Sequence, residues 1–304
     1  MIKFDSLLVD KSNSEVDYND ELHKYWTKNS SDPCISVTTL IHQFQTFDED
    51  FWSAYKTIEI ILTPTNFGEA KKELLLTKKF NNEILDKYNI PLDVFKEKRI
   101  FLLKEWEEKR ERSCIRGTAF HRAQELLHLS GQTKEIQHLN LGGKFNTNIS
   151  NKLEPHSKGV YPELLLSRIS PDGKLRIAGQ ADLVIIDDLD VYILDYKTSK
   201  TIDTKSFFDK RLRKSTTMKY PLNNLQDTNF WHYSLQLSTY AWMIQKINPE
   251  FNIKLLMLIH FDHDNNITNY ECDYLKNDVE RMLAFHKNQV EHQEFAKSIE
   301  KISF

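Results

Sequence analysis

Glycine and proline are scarce in this 304-residue chain, with eight of each, so collagen-like and other loop-dominated architectures are excluded. Cysteine is scarcer: Cys34, Cys114 and Cys272 stand far apart, and none belongs to a CxxC pair. Three scattered thiols support no disulfide framework, zinc ribbon or four-cysteine iron–sulfur site. No apolar run approaches the roughly 18–20 residues that span a bilayer. The opening stretch MIKFDSLLVDKSNSE carries neither a basic-then-apolar leader nor an Arg-rich amphipathic segment. A soluble, cytoplasmic protein with no membrane partner is therefore expected. Charge of one sign is also lacking. A net charge of −3 excludes a uniformly basic surface and still leaves room for a locally positive groove.

What is present is enough for a substantial core. Hydrophobic residues make up 40% of the chain, with 18 Phe, 12 Tyr and 5 Trp, too many for intrinsic disorder. The length suits one large domain or two ordinary ones. Short β-rich pieces are expected at 23–26 and 34–41, the latter dense in β-branched residues. A helix is expected over about 48–61. A long helix starts after Pro91, breaks at 113–117, and restarts with Thr118 as its cap. The stretch 130–158 reads as a loop. Then the period changes: 160–169, 175–186 and 191–196 read as strands parted by Pro171-Asp172-Gly173 and an acidic turn. A helix over 233–246, a buried strand over 254–261 and a helix from about 277 close the chain. This order implies an α/β fold, a mixed central sheet flanked by helices.

The chemistry concentrates in Tyr161-Pro162-Glu163-Leu164, Gly179-Gln180-Ala181-Asp182-Leu183 and Leu194-Asp195-Tyr196-Lys197-Thr198. In a strand, alternate side chains share a face, so Asp195 and Lys197 point one way and Tyr196 the other. A carboxylate and an ammonium at the end of a buried strand are costly unless they bind something. A hairpin across the acidic turn brings Asp182 towards Asp195. Two converging carboxylates favour a divalent cation, and hard oxygen donors suit Mg²⁺ or Mn²⁺. Glu163, one strand earlier, offers a third carboxylate or a hold on metal-bound water. Such a site polarises a phosphoryl oxygen and activates water, and Lys197 steadies the developing charge. A lone D-x-K is usually a solvated strand end; the ordered set E…GxxD…DxK is much harder to obtain by chance.

Gly117-Thr118-Ala119-Phe120-His121, Glu163, Gly179-Gln180-Ala181-Asp182, Asp195-Tyr196-Lys197-Thr198 and Gln236-Leu237-Ser238-Thr239-Tyr240 together resemble the PD-(D/E)xK nuclease superfamily. The branch they look most like holds the RecB and AddB nuclease domains, a mitochondrial genome maintenance exonuclease and phage-encoded exonucleases. The resemblance implies a restriction-endonuclease-like core over 111–304 with a mainly helical elaboration, residues 1–110, packed on it. It further implies His121, Asp182, Asp195 and the Tyr196 carbonyl as metal ligands and Lys197 as the catalytic lysine. Glu163 becomes the acid of the first core strand, and Gln236 and Tyr240 organise the lysine. The iron–sulfur cluster of several relatives is expected to be absent. His128 reads as structural, and His260 and His263 as a strand end and a turn.

Between Lys197 and Lys219 eight basic residues stand against two acidic ones. This segment, with Thr118, Lys200, Lys205, Lys210, Arg211, Arg213 and Lys214, is the expected DNA contact, and Phe207, Phe208, Tyr220, Phe230 and Trp231 interleave with it. Stacking on such rings suits single-stranded DNA, although Phe230 and Trp231 are equally compatible with the core. By resemblance the activity is exonucleolytic, on single-stranded ends, in replication, recombination or repair, in a bacterial or phage-infected host cytoplasm. A structure-selective endonuclease and a catalytically silent nucleic-acid-binding subunit are the alternatives. The hydrolytic readings need residues 121, 182, 195 and 197 to converge.

Overall fold

The computed structural model describes residues 16–19, 24–28, 32–130, 158–209, 213–264 and 266–302. The chain groups into two compact units, one of residues 1–45 and 119–304 and one of residues 46–118.

The larger unit is built on an eight-stranded mixed sheet. Its strands are β1 (Val16–Asn19), β2 (Lys24–Thr27), β3 (Pro33–Ser36), β4 (Gly159–Ile169), β5 (Arg176–Asp187), β6 (Asp190–Lys197), β9 (Asn252–Phe261) and β10 (Ile267–Cys272). A separate two-stranded ribbon, β7 (Phe208–Asp209) and β8 (Lys214–Ser215), lies between β6 and β9 in the chain. β4, β5 and β6 form an antiparallel meander, and β6 then pairs in parallel with β9. β5 changes neighbours along its length: β4 lines it from end to end, β3 pairs only at Ile177 and Ala178, and β6 pairs only from Leu183 onward. Gly179–Asp182 is thus left between two partners, a natural opening in the sheet.

Short helix α1 (Val37–His42) follows β3 directly, so the strand expected over 34–41 is only half a strand. The reason is local. Ser36 caps the helix, its Oγ accepting from Thr39 N, and Val37, Leu40 and Ile41 then bury at helical spacing. Helix α6 (Asn229–Ile247) is the central helix of this unit; Leu235, Leu237, Tyr240, Ala241 and Ile244 are buried in the main core with α1 and one face of the sheet. Helix α7 (Lys276–Ile302) adds Val279, Met282 and Leu283 to the same core.

The smaller unit holds α2 (Glu49–Ile61), α3 (Pro64–Thr77), α4 (Glu83–Lys87) and the first part of α5 (Leu92–Leu129) around a core of its own, including Phe51, Tyr55, Ile58, Phe67 and Phe95. Asp48 caps α2 through Phe51 N, as the 48–61 pattern implies. The break expected in α5 at 113–117 is absent: the helix is continuous. Ser113 turns its hydroxyl back to the Lys109 carbonyl at 2.9 Å, and a single interior Gly117 costs only about 1 kcal/mol against alanine. The loop expected over 130–158 falls mostly outside the described residues.

Candidate metal centre and active site

The last three turns of α5 lie against the sheet at two points eight residues apart. The Phe120 ring meets the Phe261 ring at 4.7 Å, and His128, buried, shares a 2.9 Å hydrogen bond with the Tyr196 hydroxyl. Between these two anchors His121 is carried to the opening in β5. His128 is therefore a structural histidine. His260 is likewise committed, its Nε2 lying 2.7 Å from the Ser199 carbonyl.

The sheet loses its alternation at this place. In β5, Ile177 and Ala181 face the main core, whereas past Asp182 it is Val184 and Ile186 that face it; Leu183 and Ile185 turn to the other side. In β4 the switch occurs between Tyr161 and Leu164, and Glu163 takes a left-handed backbone with φ 47°. Pro162 pairs with Leu183 and Leu164 with Ala181, and the ladder omits the Glu163–Asp182 step between them. The two acidic residues thus occupy a fault in the pleat, where neither side chain is committed to a core face.

Into this fault the structure brings three donor groups: His121, Glu163 and Asp182 offer ligand atoms all within 4.8 Å of one another. His121 Nδ1 lies 3.2 Å from Asp182 Oδ2 and 3.8 Å from Glu163 Oε1. Asp182 Oδ2 also accepts the Tyr196 backbone N–H at 2.7 Å, which ties β5 to β6. One strand over, Asp195 and Lys197 share a face as strand parity requires, with Lys197 Nζ 2.5 Å from Asp195 Oδ2. Asp195 Oδ1 is buried without a hydrogen-bond partner. A buried carboxylate oxygen left so is expensive; Asp195 falls outside the three-donor cluster, but Asp182 and His121 both act on its charge, and it is a donor that a hard divalent cation would satisfy. The residues fit such an ion.

Electrostatics reinforce this. Burial raises the Glu163 carboxyl to about 7, His121 partly opposing and the Asp182 charge assisting. Burial and the Asp182 charge raise Asp195 to about 6. Burial works against a charged His121, but the Asp182 and Glu163 carboxylates overcome it and lift the imidazole to about 10. Asp182 is also disfavoured as an anion by burial, yet His121, Lys197 and the Tyr196 N–H hold it below its ordinary value. Burial likewise opposes the charge on Lys197, which Asp195 and Asp182 still hold above its ordinary value. It therefore stays an ammonium.

Lys197 is held from two further sides. Its Nζ donates to Gln236 Oε1 at 3.4 Å and stands 4.5 Å above the Tyr233 ring. Gln236 Nε2 in turn donates to the Tyr240 hydroxyl at 3.3 Å, the i,i+4 contact that the helix motif implies. Two neighbours were not anticipated from sequence. Tyr233 is one turn before Gln236 on α6, and Glu125, one turn after His121, adds negative charge felt at Glu163. Helical spacing from the named residues could have found both.

Of the expected nucleic-acid contacts, Thr118, Lys200, Lys205, Arg213 and Lys214 are exposed, while Lys210 and Arg211 lie outside the described residues. Phe230 and Trp231 pack against the main core; Phe207 and Phe208 are exposed. Among the described residues no helix is long and apolar enough to cross a membrane.

Residues 53–302 match the family described as the PD-(D/E)XK nuclease superfamily. No curated protein matches the chain. A solved structure described as the crystal structure of SSO0001 aligns with 84% of this chain and 76% of its own at 17% identity and a TM-score of 0.30.

Proposed function

The chain belongs to the PD-(D/E)XK nuclease superfamily, and from that premise we propose that it is a divalent-metal-dependent deoxyribonuclease acting as an exonuclease on single-stranded DNA ends. The observation that carries the reading is the fault at Glu163 and Asp182, where His121 joins two carboxylates beside the partnerless Oδ1 of Asp195. His121, Glu163, Asp182 and Asp195 would hold the ion, with the Tyr196 carbonyl as a further candidate. An imidazole in the set makes Mn²⁺ a better match than Mg²⁺, which prefers oxygen donors alone. When bound, the ion supplies Lewis-acid polarisation of a phosphoryl oxygen and makes water a competent nucleophile at neutral pH.

The chain's own groups complete the chemistry. Lys197, kept charged by Asp195 and Asp182, is unsuited to take a proton and suited to stabilise charge growing on the phosphoryl oxygens. Gln236 and Tyr233 fix its direction, and Tyr240 fixes Gln236. Exposed Lys200, Lys205, Arg213 and Lys214, on the segment that leaves Lys197, supply phosphate contacts, as do Lys210, Arg211 and Thr118 in this reading. The RecB- and AddB-like motif order supports placing the activity in replication, recombination or repair, in a bacterial or phage setting.

The test is cleavage of end-labelled linear single strands against circular ones, with Mn²⁺ and with EDTA. Metal-dependent loss of label from linear DNA only is the expected result. Cutting of circles would replace the exonuclease by an endonuclease, and binding without any cleavage would leave a silent nucleic-acid-binding subunit.

A further inference from the structure

The segment that leaves Lys197 does not hang free. Ser199 is fixed by His260, Ile202 is buried in the main core, and Asn229 at the start of α6 clamps the next turn of chain: its Nδ2 donates to the Thr201 carbonyl at 2.8 Å and its Oδ1 accepts the Asp203 N–H at 2.7 Å. Gln226 Oε1 then accepts the Ser206 N–H at 2.8 Å, and Thr216 N donates to the Phe207 carbonyl at 2.9 Å. The segment therefore runs back along the N-terminal end of α6. Asn229 precedes Gln236 by about two turns, roughly 10 Å of helix.

At the end of this braced path stand two consecutive phenylalanines in water, Phe207 at 66% and Phe208 at 52% exposure. Single exposed apolar side chains need no explanation. Two adjacent exposed rings on a pinned ribbon whose neighbouring residues Lys205, Arg213 and Lys214 are exposed cations place aromatic surface among positive charge. The other aromatics of the region differ: Phe230 and Trp231 pack on the core, and Tyr220 meets the Phe285 ring at 5.6 Å. Neither Phe207 nor Phe208 has an aromatic neighbour among the described residues.

We propose that Phe207 and Phe208 are a base-stacking platform for a DNA single strand, a few nucleotides from the scissile phosphate, with Lys205, Arg213 and Lys214 holding the backbone on either side. Flat rings among exposed cations suit unpaired bases joined by phosphates, and a paired duplex hides the base faces that the rings need. The direction of the strand towards Lys197 rests on the nuclease reading; the stacking itself does not.

The experiment measures affinity for a short labelled DNA single strand of mixed sequence, in EDTA, for the wild type and for the double variant Phe207→Ala/Phe208→Ala. The same strand made wholly abasic, and hydrolysis of bis(p-nitrophenyl) phosphate with Mn²⁺, are measured alongside. The double variant should bind the normal strand at least about fivefold more weakly for each ring removed, bind the abasic strand as the wild type does, and hydrolyse the small diester unchanged. Phe207→Trp/Phe208→Trp should restore binding. Equal affinity of wild type and double variant for the normal strand would overturn the platform, as would a parallel loss on the abasic strand. If the wild type fails to hydrolyse the diester while the difference in strand affinity persists, the nuclease reading falls and the platform stands.

Discussion

A Cβ placed on Gly179 would lie 2.9 Å from Cε1 of Tyr240 and 3.0 Å from its hydroxyl oxygen. The glycine thus gives the tyrosine its seat. Tyr240 holds Gln236, and Gln236 touches Lys197, so a backbone position in β5 fixes the aim of an ammonium in β6. Gly179→Ala should displace the ring, cost about 1–3 kcal/mol of stability from overpacking, and lower kcat about tenfold or more with KM little changed. Steady-state kinetics and a urea titration check this. Full activity in a destabilised variant would break the link between Gly179 and Lys197.

Asp195 carries a second expectation. Its carboxylate is buried beside Asp182, with one oxygen unpartnered, an arrangement that serves a cation and burdens the metal-free protein. Asp195→Asn should lose cleavage and lose the thermal stabilisation given by Mn²⁺. Lys197→Ala removes the cation and should lower cleavage by about 10²–10³-fold. Near wild-type cutting by either variant would remove these residues from the site. Melting curves with and without Mn²⁺ complete the comparison.

The metal-free protein should grow less stable as pH rises. Folding lifts Glu163 from 4.5 to about 7, Asp195 from 3.8 to about 6 and His121 from 6.5 to about 10. Through that range these three groups bind more protons in the folded state than in the unfolded one, so their contribution to stability falls from about pH 4 to pH 10. It is opposed, below the ordinary imidazole value, by burial of His42 and His286, whose imidazoles are lowered on folding. Asp182, lowered on folding, acts in the opposite sense only below its ordinary value. The same protons must leave before a cation binds, so Mn²⁺ affinity should rise with pH and binding should release protons. Melting temperatures in EDTA across this range, and calorimetric Mn²⁺ titrations in two buffers of different ionisation heat, test both halves. A flat melting profile together with proton-neutral binding would contradict the charge arrangement.

Part of this site was legible because strand parity is local. Asp195 and Lys197 two residues apart had to share a face, and Gln236 and Tyr240 four apart on a helix had to meet. The three core strands were equally legible from apolar runs and turn residues. The fault at Glu163 and Asp182 was not, because it depends on two strands losing their alternation together, and no single-strand pattern carries that. The continuity of α5 is hidden for a related reason: Ser113 and Gly117 lower helix propensity locally, and the turns on either side carry the helix through. At 34–41 the β-branched run concealed a Ser36 cap, and burial of Val37, Leu40 and Ile41 outweighed strand propensity.

The basic segment makes a salt-dependent prediction distinct from stacking. Lys205, Arg213 and Lys214 are exposed and touch phosphate in this reading. Replacing all three by Ala should reduce the slope of log affinity against log salt for single-stranded DNA by about 0.7 for each phosphate no longer neutralised. An unchanged slope would take the ribbon out of the electrostatic interface.

Glu163 separates chemistry from backbone. Its φ of 47° is left-handed, a conformation that costs a residue with a Cβ about 1–2 kcal/mol and costs glycine nothing sterically. Glu163→Ala and Glu163→Gly both delete the carboxylate, so both should weaken Mn²⁺ binding alike. They should differ in stability. The glycine variant should be the more stable by about 1 kcal/mol, because relief of strain outweighs the extra chain entropy lost on folding. Urea midpoints at equal m-values decide it. An alanine variant as stable as the glycine one would mean that β4 passes Glu163 in ordinary extended conformation, and the fault that gathers the donors would have to be rebuilt on other grounds.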